Sequence, residues 1–179
     1  KAARTLATRF VARFGRSFRY TGAGHNDVDE ASALSAHLTH AFPEPGRIAR
    51  ARLSAIAELG IISRRAQAIQ QLAKVINSGE LNLSPSGSVE QTLVQLNAQP
   101  GIGDWTAQYI AMRAMRWPDA FIAADYGVMK ALQVKTAAQA RDAVQRWRPW
   151  RAYAVMHLWA SLHTEAGNPP VTANRESSR

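Results

Sequence analysis

Asn97-Ala98-Gln99-Pro100-Gly101-Ile102-Gly103-Asp104-Trp105 is the stretch that decides how this chain is read. It lies between two segments of helical apolar spacing, so it predicts a helix, a tight turn and a second helix. Glycines at 101 and 103 let the backbone turn sharply and come close to a ligand. The first-turn N–H groups of a helix, with its positive dipole end, attract an anion without reading sequence. The backbone of Gly101, Ile102, Gly103, Asp104 and Thr106 is therefore the candidate grip on a phosphate backbone. An ordinary Pro-Gly turn between core helices would share the first two residues. The second glycine, the amphipathic flanks and a basic chain favour the anion.

Downstream stands Asp125, in Phe121-Ile122-Ala123-Ala124-Asp125-Tyr126-Gly127, where every nearer upstream neighbour is apolar. Such an aspartate is most simply the N-cap of the helix that follows. A carboxylate in a poorly solvated cleft also stabilises positive charge developing beside it, as when an N-glycosidic bond breaks and the sugar becomes oxocarbenium-like. Trp105 and Tyr109 share one helix face at i, i+4, and Trp159 lies on the last helix. Core packing is the commoner fate of such aromatics. Around a cleft they would instead sandwich an extruded base, and a cationic alkylated purine would gain about 0.5–2 kcal/mol from their faces.

Composition narrows the partner. Lys and Arg number 22 against 13 acidic residues, a formal charge of +9, which favours nucleic acid first and a membrane surface second. There is no cysteine, which excludes disulfides, thiolate zinc sites, cysteine nucleophiles and cysteine-ligated iron–sulfur clusters. No apolar run is long enough for a membrane span and no secretory signal opens the chain, so a soluble intracellular protein is expected. The 179 residues, 46% hydrophobic, suffice for one domain or two small lobes. The chain opens without Met inside an amphipathic pattern (Leu6, Phe10, Val11, Phe14) and reads as the later part of a longer protein.

Apolar residues recur at helical spacing almost throughout and no window alternates with the strand period, so the fold is expected to be all-α. Helices are expected over 1–14, closed by Gly15; over 29–41, ended by Pro43 and Pro45; over 46–51; and over 54–59. Ser63 reads as the N-cap of a helix to about 78, and 16–28 as a loop. Ser88-Val89-Glu90-Gln91 and Thr136 to Gln139 read as capping boxes, the first opening the hairpin (about 88–115) and the second a helix to about 147. Further helices are expected over 104–115, from Asp125 to 132 and over 150–164. The helical body spans 1–166, and 167–179 is a polar tail.

Arg146-Trp147-Arg148-Pro149-Trp150-Arg151 interleaves guanidinium and indole groups, either to touch phosphates or as a solvated helix junction. His157 reads as a core or boundary histidine rather than a base. His25, His37, His40 and His163 show no metal-ligand spacing with acidic residues.

Together these residues resemble those of the helix–hairpin–helix DNA glycosylase superfamily, specifically its 3-methyladenine DNA glycosylase II branch. The resemblance covers about 54–162 and is carried by 96–113, by 121–130, and by Trp147-Arg148-Pro149-Trp150-Arg151-Ala152-Tyr153-Ala154 with His157-Leu158-Trp159. It implies a two-lobed all-α fold with an interlobe cleft, its N-terminal part and a β-rich domain lying upstream. It implies Asp125 as the catalytic aspartate and Trp105, Tyr109 and Trp159 as the base pocket. It also implies a monovalent cation, Na or K, on the main-chain carbonyls of Asn97, Gln99 and Ile102, with no cofactor required. Lyase members carry a Schiff-base lysine where this chain has Trp105, and an indole forms no imine. The implied activity is hydrolytic release of alkylated bases (3-methyladenine, 7-methylguanine) from double-stranded DNA, leaving an abasic site. The implied setting is base excision repair by a monomer in a bacterial cytoplasm, at the nucleoid and away from membranes. Two positions depart from the pattern: Ala124 replaces an acidic residue, and Asp104 replaces Arg or Lys and lowers local attraction for phosphate. The alternative reading is a non-catalytic DNA-binding module or the C-terminal domain of a larger alkylation-response protein.

Overall fold

The computed structural model describes residues 2–18 and 39–167, with side chains to residue 162. These fall into two compact units, one of Lys1–Asn82 with Ala98–Gly101, the other of Leu83–Asn97 with the chain from Ile102 onward. Described residues are mostly helical, as the apolar spacing predicts. None of their helices is long and apolar enough to cross a membrane.

In the first unit, α1 (Ala2–Phe14) buries Phe10 and Phe14, spaced i, i+4 and so on one face. Gly15 follows because a Cβ there would run into the carbonyl oxygens of Ala41 and Val11. The helix expected over 29–41 lies outside the described residues except at its end, where the expectation fails. His40–Ala41 is a short strand, β2, paired antiparallel with β1 (Arg16–Ser17), itself expected as loop. Phe42 precedes Pro43 and Glu44 precedes Pro45, and a residue before proline is pushed to extended backbone, so the approach is not helical.

Short helices α2 (Pro45–Ala49) and α3 (Leu53–Ala57) lead to α4 (Ser63–Asn77). Ser63 is not its cap. The N-cap is Ile62, with no side-chain cap bond, and Ser63 is already the first helical residue. Phe10, Phe14, Ile48, Ile56, Ile61, Ala66 and Ala73 form the core. Gly101 is at φ +83°, and a Cβ there would stand 2.9 Å from the Cβ of Ala68 on α4. Both the turn and the close approach therefore require glycine.

The second unit holds α5 (Val89–Asn97), α6 (Asp104–Arg113), α7 (Tyr126–Ala131), α8 (Ala137–Ala143) and α9 (Arg151–Gly167). At the first expected capping box the Gln91 amide donates to Ser88 Oγ at 3.4 Å. At the second, Thr136 and Gln139 make both reciprocal bonds. The helix expected to 147 ends at Ala143 and tightens into a 3₁₀ turn, Gln145–Trp147, ahead of Pro149, which has no N–H to continue a ladder. Met112, Met115, Phe121, Ile122, Val128, Val144 and Val155 fill the core, with small residues Ala111, Ala140 and Ala152 among them.

One buried ion pair ties this unit together. Arg151, the first residue of α9, donates to both carboxylate oxygens of Asp119 at 2.6 and 2.7 Å and to its carbonyl at 3.2 Å. Arg148 reaches the same carboxylate at 3.2 Å. Burial pushes the Asp119 carboxyl up, but the hydrogen bonds and charge of Arg151 and the charge of Arg148 outweigh it and hold it below the usual range. A depressed carboxylate contributes stability that is complete above the ordinary value of about 4 and is lost as pH falls through its folded value. We predict that the urea midpoint falls below about pH 4. Asp119→Asn should cost about 3 kcal/mol at neutral pH, by leaving Arg151 buried without its counter-charge, and should flatten that acid limb in a urea-by-pH series.

Candidate active site

Asp125 ends the apolar run Phe121–Ala123, whose residues are buried, and begins α7. Its Oδ1 accepts from the Val128 amide at 2.9 Å, the N-cap bond expected of it. The same oxygen accepts from Trp159 Nε1 at 2.9 Å, and Oδ2 accepts from Trp105 Nε1 at 3.0 Å. The carboxylate therefore caps a helix and is also held by indoles from α9 and α6.

The three predicted aromatics come together around it. Trp105 and Tyr109 stack with ring centroids 5.3 Å apart at 7°, the direct result of i, i+4 spacing on α6. Tyr109 and Trp159 meet at 6.3 Å, tilted by 44°. Trp105 remains 41% exposed, so one member of the cluster offers surface to an incoming ring.

Burial pushes the Asp125 carboxyl up. Hydrogen bonds from Trp159, the Val128 amide, Trp105 and the Gly127 amide together outweigh it and hold the group below the usual carboxylate range. Every one of these donors stabilises the charged form. The result is a fixed negative charge at neutral pH, beside aromatic faces and part-shielded from water.

Gly103, with φ −101° and ψ 176°, is the N-cap of α6 and contributes no side-chain cap, so no side chain of its own covers the first-turn amides of Asp104 and its successors. Asp104 forms a half-exposed ion pair with Arg141 of α8 at 3.6 Å, and Thr106 is half-buried. Asn97 ends α5. Among the described residues no group of three His, Cys, Asp and Glu side chains is arranged to hold a metal ion.

The arginine–tryptophan segment, which the sequence leaves open, is a helix junction at two of its arginines: Arg151 turns inward to Asp119, and Arg148 pairs with the same carboxylate from the surface. His157 is exposed rather than a core or boundary residue. It lines a hollow with Trp147, Trp150 and Tyr153, apart from the residues that touch Asp125. His25 and His37 lie outside the described residues. Two residues of consequence carry no sequence signal: Asp119, one acidic residue after a proline, and Gln108, whose Oε1 accepts from the Phe121 amide at 3.1 Å.

Comparison with known proteins places the chain in a family. The family model described as "HhH-GPD superfamily base excision DNA repair protein" matches residues 1–148. The chain belongs to this superfamily. Among its relatives, "DNA-3-methyladenine glycosylase 2" of Escherichia coli is 40% identical over 72% of this chain and 44% of its own length. A "Probable bifunctional transcriptional activator/DNA repair enzyme AlkA" of Mycobacterium tuberculosis is 36% identical over 90% of this chain and 30% of its own length. The chain thus spans less than half the length of these two relatives. The solved structure of a 3-methyladenine DNA-glycosylase from Archaeoglobus fulgidus shares the fold, with a TM-score of 0.73 and 24% identity over 92% of this chain and 53% of that one.

Removing either indole donor takes away a bond to the ionised carboxylate. Trp159→Phe and Trp105→Phe should each raise the Asp125 pKa, and the double variant should carry it highest, where the upward push of burial is least opposed. Carbon-13 NMR of the aspartate carboxyl groups against pH reads this without any ligand.

Proposed function

We propose that this chain is the catalytic helical part of a monofunctional DNA glycosylase that hydrolyses the N-glycosidic bond of alkylated bases in double-stranded DNA. Its substrates are of the 3-methyladenine and 7-methylguanine class, and its product is an abasic site. The observation that carries this reading is the ionised Asp125 carboxylate held between the indoles of Trp105 and Trp159. The names of the relatives agree with it.

The hairpin would hold the phosphate backbone through amides at Gly101, Ile102, Gly103, Asp104 and Thr106. Flipping the target nucleotide costs a few kcal/mol, least for a damaged and weakly stacked base. The flipped base, cationic because it is alkylated, lies against Trp105, Tyr109 and Trp159 and is favoured by their faces. The bond from C1′ to the base nitrogen breaks with its electron pair leaving on the base, which becomes neutral, so no general acid is needed. Asp125 stabilises the oxocarbenium-like sugar. Water adds at C1′ and loses its proton to the carboxylate or to solvent.

Trp105 cannot supply an amine for a Schiff base, so the strand is left intact. The neutral carbonyl oxygens of Asn97, Gln99 and Ile102 are hard donors suited to a sodium or potassium ion. When bound, it would add positive charge near the phosphate.

The cap bond from Val128 to Asp125 favours a second reading, a DNA-binding module in which the aspartate only starts α7. Asp125→Asn separates the two, because asparagine caps as well as aspartate. We predict unchanged folding and duplex binding with excision lower by about 10²–10³-fold, scored as alkali-labile sites in duplexes carrying 3-methyladenine, 7-methylguanine or hypoxanthine. Substantial residual excision would remove Asp125 from its role. Nicking without alkali would contradict the monofunctional assignment, and binding without release of any base would support the module.

A further inference from the structure

The segment from Pro118 to Asp125 is gripped at both ends by the same two helices. At its far end, α6 supplies Trp105 and α9 supplies Trp159 to the Asp125 carboxylate. At its near end, α9 returns through Arg151, forked onto Asp119, and through the Ala152 amide, which donates to the Pro118 carbonyl at 2.8 Å. The Arg151 guanidinium also lies 5.9 Å from the Phe121 ring centroid. From α6, the Gln108 side chain accepts the Phe121 amide.

Stability alone does not call for the ionic part of this clamp. A buried ion pair is commonly matched or bettered by apolar residues of equal volume. What the bidentate fork supplies is orientation, since a planar guanidinium on two carboxylate oxygens has one low-energy arrangement. Arg151 and Trp159 are eight residues apart on α9, about 12 Å along a helix axis, so a fixed Arg151 sets where the Trp159 indole stands along the segment. Gln108 and Trp105 stand one turn apart on α6 and do the same from the other side.

We propose that Arg151, acting through Asp119, and Gln108, acting through the Phe121 amide, are positioning residues for Asp125. They fix where its carboxylate stands against the two indole donors, and so against the sugar it serves. This inference rests on the role given to Asp125 above.

The test uses the full chain with Arg151→Lys, which keeps the charge but loses the fork, and Gln108→Met, which keeps the length but loses the acceptor. The indole N–H resonances of Trp105 and Trp159 are followed by nitrogen-15 NMR, assigned with the Trp→Phe variants and referenced to Asp125→Asn. Arg151→Lys should move the Trp159 signal toward its position in Asp125→Asn, and Gln108→Met should move at least one of the two. Single-turnover excision should fall by about 10–100-fold in each, the scale of an ångström of misplacement, with duplex affinity unchanged. Gln108 is half-buried, so Gln108→Met decides the matter if Arg151→Lys does not fold. Unmoved indole signals or an undiminished rate in folded variants would overturn the proposal and leave the clamp as scaffold alone. If the indole signals move as expected while the unaltered chain releases no base, the positioning stands and the glycosylase reading fails.

Discussion

A carboxylate drawn partly out of water has to replace its hydration with donors from the protein, and Asp125 finds them in the Val128 amide and two indoles. That requirement organises the second unit. The Val128 and Gly127 amides are available because a helix begins at that point and its first-turn N–H groups have no partner within the helix. The indoles are available because α6 and α9 each present a tryptophan to the same atom group. Indole has only a donor, so these contacts favour the ionised form and never compete as acceptors. Charge is thereby held in place by neutral indole and amide donors.

Much of this could be read from residues in sequence. Helical spacing, the capping box at Thr136 and the turn at Pro100-Gly101 report local backbone preferences, and local preferences survive into the fold. Asp125 was legible as a cap because an isolated acid between an apolar run and a helix has few other local uses. Trp105 and Tyr109 were legible as partners because i, i+4 spacing on a helix is itself a distance.

Non-local partners left no such trace. Asp119 and Arg151 meet across a span of sequence, and nothing in either neighbourhood says that an acid there is buried or that this arginine, among several, turns inward. Gln108 looks like any polar residue on a helix until the Phe121 amide is found against it. The strand at His40–Ala41 was missed for a different reason: two residues are too few to show a period, and the prolines that straighten the chain lie after them. His157 was misjudged because one histidine on a mixed helix face carries no sign of which way the face turns.

Groups placed for chemistry usually weaken the proteins that carry them, because desolvated charge is held for a purpose other than folding. Asp125 escapes that opposition in part, since the oxygen that faces Trp159 also ends the orphaned N–H of Val128. In the role proposed for Asp125, activity and stability therefore pull in the same direction at this one position. On the same proposal, the tension between them is displaced to the clamp at Asp119 and Arg151, where a more robust apolar pairing would be the easier evolutionary choice and a less exact one.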